Sequence, residues 1–181
     1  MVRAMTAAHH WRPMTAADLP AVDAIAAIVH VNYPEDAAVF AERLSLHPQG
    51  CYVLQFEHER NDITGYLISH PWTFKQPPAL NSLLCAIPSP ASTYYIHDIA
   101  LLPQARGGGA ASDILAKLMT AATSFADNVS LVAVAGTERF WRRQGFVNVE
   151  DRALARKLTS YDDSACYMQR RLGADIPAIP A

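Results

Sequence analysis

The most legible chemistry in the chain lies in one run of small residues, Gln104-Ala105-Arg106-Gly107-Gly108-Gly109-Ala110. An apolar stretch precedes it and an amphipathic one follows, so a strand feeds a glycine-rich turn that opens a helix. The first amides of a helix have no partner within it, and the aligned peptide dipoles place partial positive charge there. Such a terminus suits an anion, phosphate above all, and glycine lets the backbone approach a ligand because no Cβ intervenes. Three nucleotide patterns compete for the string. A P-loop requires GxxxxGK[ST], which the chain lacks. The dinucleotide fingerprint GxGxxG is begun by Gly107 and Gly109, but Ser112 stands where its third glycine belongs. The third pattern, Q/R-x-x-G-x-G/A after a strand, is filled by Gln104, Gly107 and Gly109. Glycine turns are common for steric reasons alone, so the flanking elements decide. Two residues ahead of Ile99, on the strand that enters the turn, His97 supplies a side chain that titrates near neutral pH.

The positioning elements follow from periodicity. Trp11-Arg12-Pro13-Met14 reads as a short first strand. Thr15-Ala16-Ala17-Asp18 reads as a capping box, although Pro20, at home in a first turn, leaves Asp18 open as the cap instead. Val22, Ile25, Ala26 and Val29 then recur at helical spacing. Pro34-Glu35-Asp36 opens a second helix that continues through Val39, Phe40, Arg43 and Leu44 to His47-Pro48. After Gly50, Tyr52, Leu54 and Phe56 alternate with more polar neighbours. A polar turn over 57–62 joins that strand to another over 63–70, a hairpin. Residues 71–93 carry Pro71, Pro77, Pro78, Pro88 and Pro90, and Leu80, Leu83, Leu84 and Ile87 predict a short amphipathic helix among them. That segment is either a lid or a surface excursion. The strongest strand is 94–102, ended by Pro103. A helix over 110–126 shows one apolar face, Ile114, Leu115, Leu118, Ala122 and Phe125. A buried-type strand over 130–135, a short helix over 137–144 ended by Gly145 and a last strand over 165–172 complete a mixed α+β sheet with helices on its faces.

In this context the glycine string resembles the pyrophosphate-binding motif of the GNAT superfamily of N-acetyltransferases. Ile99-Ala100-Leu101-Leu102-Pro103 before it and the amphipathic helix after it also resemble the family's central motif. Downstream, Phe140-Trp141-Arg142-Arg143-Gln144-Gly145-Phe146 is similar to the family's late aromatic-x-x-x-Gly-Phe motif, at a typical separation. The likeness runs over 11–172. It implies a single N-acetyltransferase domain there, with 1–10 and 173–181 as flexible termini. It also implies a mostly antiparallel sheet splayed between two neighbouring strands, helices on both faces, and the pantetheine of acetyl-CoA in the gap. By the same likeness the backbone of Ile99, Ala100 and Leu101 bonds the acetyl and pantetheine groups. Gln104 opens the motif, amides of Arg106, Gly107, Gly108, Gly109 and Ala110 hold the pyrophosphate, and Trp141 lies against the cofactor. Arg142 or Arg143 touches nucleotide phosphates or is a solvated helix charge. The implied reaction is direct transfer of the acetyl group to a primary amine, on a small molecule or a peptide, without a metal.

Such a reaction has a proton problem. A lysine-type amine, with a pKa near 10.4, is about 3.4 units on the wrong side at pH 7, and deprotonating it costs roughly 4.6 kcal/mol. The departing thiol should resemble cysteine, near 8.5, and leaves as thiolate with little help. A base therefore matters more than an acid. His97 is the candidate base, because its ordinary pKa near 6.5 suits the task. The histidine-bearing branch of the family, typified by serotonin N-acetyltransferase, resembles this stretch, its catalytic histidine matching His97 and a second one matching Tyr95. On an ideal strand Tyr95 and His97 share a face and Asp98 takes the other. The competing reading has His97 packed in the strand, bonding a backbone carbonyl, with water relaying the proton. Two departures from the family pattern stand out. Trp141 occupies the place of a frequent tyrosine acid, leaving Tyr94, Tyr95 and Tyr161 as substitutes. Ala135-Gly136 replaces a frequent asparagine that contacts the cofactor.

Composition narrows the classes. Half the residues are apolar (51%) and the formal net charge is −2, which argues against a nucleic-acid module, whose basic residues would cluster. A local basic strip is confined to Arg139, Arg142 and Arg143. Cys51, Cys85 and Cys166 form neither a CxxC nor a Cys/His pattern, so no disulfide framework or zinc site is expected and a reducing, cytoplasmic setting fits. None lies in either motif, which weighs against a covalent acetyl-enzyme. Residues 1–11 lack an apolar signal core, and no run approaches the roughly 18 apolar residues of a membrane span. Glu35 and Asp36 either attract a cationic amine or cap a helix, and Trp72, Phe74 and the proline-rich loop are candidates to wall an acceptor pocket. The likeness leaves a homodimer open. Two rival functions remain: a non-catalytic acyl-CoA-binding regulatory module, suggested by Trp141, and a nucleotide-binding α/β domain whose loop prefers ATP or NAD.

Overall fold

The computed structural model describes residues 9–56, 62–158 and 161–173. The turn expected over 57–62 falls almost wholly outside them, as do 1–8 and 174–181. The elements in chain order are β1 (His9–Pro13), α1 (Leu19–Val29), α2 (Ala37–Leu46), β2 (Cys51–Phe56), β3 (Ile63–Trp72), β4 (Thr93–Leu101), α3 (Ala110–Ala122), β5 (Asn128–Ala133), α4 (Glu138–Arg143), β6 (Val147–Asn148), α5 (Arg152–Leu158) and β7 (Cys166–Arg171). The strands form one seven-stranded sheet in the order β1-β2-β3-β4-β5-β7-β6. Every ladder is antiparallel except that between β4 and β5. One face buries Val22, Ile25, Phe40 and Leu44 of α1 and α2 against Val53, Tyr66, Ile68 and Ala100. The other buries Ile114, Leu115, Leu118 and Ala122 of α3 against Leu67, Tyr94, Ile96, Val129 and Leu131. The expected fold class, a mixed, mostly antiparallel sheet with helices on both faces, is therefore the one observed.

Two irregularities shape the site. The parallel ladder joins β4 to β5 only at Tyr94–Val129 and Tyr95–Ser130. Beyond these pairs β5 stays fully engaged with β7 on its other edge, so the sheet opens between β4 and β5. The second irregularity is a bulge. In the β3–β4 ladder Ile68 faces Asp98 and Ser69 faces Ile96, so His97 is the extra residue without a partner. A bulge re-aims the side chains beyond it.

Several elements depart from the periodic reading for identifiable reasons. The Thr15–Asp18 box closes a single 3-10 turn ahead of the first helix, and Asp18 reaches the N-cap position of α1 without its side chain bonding an amide of that helix. Asp18 accepts from the Thr15 amide (2.7 Å) and hydroxyl (2.9 Å) and from Arg12 (2.7 and 2.8 Å), and it stands at the N-cap of α1. Helix α2 starts only at Ala37, which leaves Glu35 outside it. No helix forms over 80–87. There Asn81 and Cys85 adopt positive φ (55° and 65°), and the chain's polar groups are satisfied by α2 instead: Glu42 accepts from the Leu84 and Cys85 amides (both 2.8 Å) and Arg43 donates to Ser82 O (2.8 Å). Helix α3 stops at Ala122, and β1 starts at His9, two residues before the expected domain edge. Strand β6 and helix α5 carry no periodicity that marks them in the sequence.

Candidate active site

The glycine turn folds as expected from its composition. Gly107 and Gly109 take φ of 81° and 84°, a region open to glycine and costly for residues with a Cβ. An added Cβ at either would meet nothing within 4 Å, so conformation and not crowding demands glycine. Gly109 is the N-cap of α3. Trp11 Nε1 donates to Ala110 O (2.8 Å), and Leu54, Ala105 and Ala110 are buried together beneath. These contacts tie the amide end of α3 to the sheet.

From that end a cleft of about 590 Å3 runs through the opening between β4 and β5. Arg106, Gly107, Gly109 and Ala110 line its mouth, Ile99 and Leu101 one wall, Trp141 the other, and His97 and Glu35 its far end. Ala100 is buried on the opposite face among the α1 and α2 side chains. Gln104 is exposed, and neither it nor Gly108 lines the cleft. Arg106 Nε donates to Leu101 O (2.9 Å). Arg142 pairs with Glu138 (2.6 Å), exposed, and neither it nor Arg143 lines the cleft.

His97 Nε2 lies 2.8 Å from Glu35 Oε2, and each side chain is only 8% exposed. Burial alone would raise Glu35, but the hydrogen bond and charge of His97 and the amide of Asn81 outweigh it and hold the carboxyl below its usual range. The bulge turns Asp98 toward the same side, which corrects the expectation that His97 and Asp98 face apart. Asp98 Oδ1 lies 2.7 Å from His30 Nε2, an ion-pair contact, and Oδ2 accepts from Tyr66 OH. Burial depresses His30, yet the bond and charge of Asp98 prevail and raise it.

Tyr95 is not brought into the cleft. It is buried with Leu154, Leu158 and Tyr167, and burial pushes its hydroxyl far above the ordinary phenol range. Tyr94 is buried against His47 Nε2 (3.1 Å) and Ser69 Oγ (3.3 Å). Of the three tyrosines considered as acids only Tyr161 lines the cleft. Its hydroxyl donates to Pro78 O, and burial pushes it up to about 12. Trp72 and Phe74 pack on the α5–Tyr167 cluster, so Leu80 alone of the proline-rich segment reaches the cleft. No cysteine lines it. Among the described residues no group of three or more His, Cys, Asp or Glu could hold a metal ion.

Sequence reasoning missed His70. It sits on β3 opposite Tyr95, with ring centroids 5.7 Å from Tyr95 and 6.4 Å from His97. Nδ1 donates to Pro71 O (3.0 Å) and Nε2 has no partner. Burial drives its pKa down to about 3. The unfolded chain, with a histidine pKa near 6.5, therefore binds the proton first. This contribution to stability is intact above pH ~6.5 and falls toward pH 3, by up to about 1.4 kcal/mol per unit. His70→Gln should flatten the acid limb of the urea-unfolding midpoint between pH 7 and 4; an unchanged limb would show that the histidine does not titrate this way.

A sheet opened over one strand pair, with an anion cradle at one end of the gap and an imidazole–carboxylate pair at the other, defines an acyltransferase architecture. The model of the acetyltransferase (GNAT) family matches residues 16–146, and the chain belongs to that family. No curated protein matches the sequence. Among solved structures, the loading GNATL domain of CurA from Lyngbya majuscula is similar at a TM-score of 0.73 and 13% identity, over 91% of this chain and 98% of that one. The GphF GNAT-like decarboxylase in complex with isobutyryl-CoA gives 0.70 and 15%, over 90% and 99%. Naa20 of Chaetomium thermophilum, in complex with a bisubstrate analogue, gives 0.64 and 17%, over 90% and 86%. At such identities the likeness speaks for the fold. Among the described residues no helix is long and apolar enough to cross a membrane.

Proposed function

We propose that this protein is an N-acetyltransferase that moves the acetyl group of acetyl-CoA to a primary amine in a ternary complex, within one domain spanning 11–172. The observation that carries the reading is the single cleft joining the α3 amide cradle to the His97–Glu35 pair. A non-catalytic module has no use for a buried base held by a carboxylate at the end of its ligand cleft. A similar fold in complex with isobutyryl-CoA supports an acyl-CoA in the cleft, and another in complex with a bisubstrate analogue supports a second substrate beside it.

The residues divide the work. Backbone amides from Arg106 to Ala110, at the positive end of α3, suit the pyrophosphate. Past Tyr95 the edge of β4 toward β5 has no ladder partner, so the backbone at Ile99–Leu101, apart from the Leu101 carbonyl that Arg106 already holds, is open to an extended pantetheine, and Trp141 closes the opposite wall. Acetyl-CoA supplies an activated carbonyl and a thiolate leaving group. A carboxylate only accepts, so His97 Nε2–H donates to Glu35 and the lone pair sits on Nδ1, which has no hydrogen-bond partner among the described residues. Nδ1 takes the proton of the incoming ammonium, and Glu35 stabilises the imidazolium that forms. Proximity supplies much of the remaining acceleration. No tyrosine acid is needed for a thiol of cysteine-like pKa.

Glu35→Gln tests the pairing through release of free thiol from acetyl-CoA in the presence of amines. The amide no longer dictates the tautomer of His97, so kcat/KM should fall at least about tenfold while acetyl-CoA still binds. Full activity in the variant would remove Glu35 from the mechanism.

A further inference from the structure

A second cavity, of about 220 Å3, lies between the end of α1, the α1–α2 connection and β4. It shares His30, Tyr33, Glu35 and Asp98 with the larger cleft, so the two spaces meet at Glu35, the partner of His97, at the end away from the phosphate cradle. We infer that it receives the acceptor, and that the acceptor is a primary amine on an apolar frame bearing no carboxylate or phosphate. The inference rests on the proposed acetyl transfer and names its substrate class.

Three observations carry it. The first is access: an amine held here borders Glu35 and reaches the His97 ring through the opening shared with the larger cleft, while the cradle end of that cleft remains free for the acyl carrier. The second is the wall. Ala26, Ala27, Val31, Pro34 and Phe40 supply apolar surface, and Val31, 71% exposed, extends that surface to the rim. An apolar frame is held there by removal of its surface from water. The third is charge. Asp23, Glu35 and Asp98 border the cavity, and among the described residues no Lys or Arg does. The carboxylates are not offered as a cation site, because Glu35 is taken by His97 and the Asn81 amide, and Asp98 by His30 and Tyr66. Their effect is exclusion. His30, the cavity's one group able to carry positive charge, already faces Asp98. Arg43, engaged by Glu42 and Ser82 O with its Nε left unpartnered, and Arg106, engaged by Leu101 O, both stay out of the cavity wall. An anionic substituent would lose its water, meet like charge and find no free partner. Specificity of this kind comes from repulsion as much as from attraction.

The test is calorimetric titration of the full chain, loaded with CoA, using 2-phenylethylamine, phenylalaninamide and phenylalanine. The last two match in shape and differ in the carboxylate. The first two should bind, and phenylalanine at least about tenfold more weakly. Ala27→Phe, which fills the cavity from an exposed helix position, should weaken both neutral-framed amines about tenfold or more without changing CoA affinity. Val31→Lys, which places a cation on the wall, should restore phenylalanine binding. Equal affinity for phenylalanine and its amide, amine binding unaffected by Ala27→Phe, or no binding of any amine would each overturn the inference. Because no acetyl group is present, amine binding is read apart from catalysis. Amines that bind as expected but are never acetylated would count against the proposed function and not against the cavity. Should CoA fail to bind, the proposed function falls, and titration of the unloaded chain still decides what the cavity accepts.

Discussion

His97→Ala lowers kcat/KM for an alkyl amine by about 10²- to 10⁴-fold at neutral pH, and the deficit shrinks as pH rises. The sign follows from the substrate. Near pH 7 an amine of pKa ~10.4 is almost wholly protonated, and the variant can use only the small neutral fraction, which grows tenfold per pH unit. Its rate therefore climbs steeply where the wild type, supplied with a base, does not. One side effect needs separating. Removing the imidazole strands Glu35, which is 8% exposed, without its main partner, and a buried unpaired carboxylate costs stability. The double variant His97→Ala/Glu35→Gln removes that charge. If the two residues act as a unit, it is no slower than His97→Ala alone, since losses within a unit do not add. Unchanged activity of His97→Ala across pH 6 to 9 would remove the histidine as base and hand the proton to water.

The sequence showed local chemistry well and juxtaposition poorly. The glycine string could be read because everything it needs lies within seven residues: a strand end, positive-φ glycines and a helix start. His97 could be nominated by type but not oriented. The bulge that frees it depends on a register between β3 and β4, which a one-strand pattern does not contain. The same slip explains why Asp98 joins His97 on one side of the sheet. Glu35 was visible only as an acid near a helix start. Its partner lies 62 positions away, and α2 begins two residues later than a first-turn acid requires. The leucines over 80–87 satisfied helical spacing, but spacing is a weak argument for so short a run. Glu42 and Arg43 offered that backbone other partners. Helix α5 buries little beyond Leu154 and Leu158, too thin a stripe to mark it. Trp141 stands where a tyrosine acid is frequent, yet its place is explained by packing: it is 6% exposed and stacks edge-on against Phe146 at 5.4 Å.

Gly107→Glu abolishes stabilisation by acetyl-CoA. For the wild type, a ligand at about 100 times its Kd adds roughly 2.7 kcal/mol, which in a chain of this size raises Tm by about 5 to 11 °C. The substitution acts in two separable ways. At φ 81° any side chain strains the backbone by about 1 to 2 kcal/mol, a loss present with or without ligand. The glutamate also sets a negative charge where the α3 amides would meet pyrophosphate, and there is room for it, since nothing lies within 4 Å of an added Cβ. Gly107→Ala carries the strain alone. It should lower the unliganded Tm as the glutamate does, yet keep most of its shift with acetyl-CoA and with CoA. Charge, and not the shape of the turn, would then be what the cradle reads. A wild-type protein that responds to ATP or NAD and not to acetyl-CoA would show that the cradle serves another nucleotide. The His97–Glu35 pair would then need a different substrate, because the donor is what places a carbonyl within its reach.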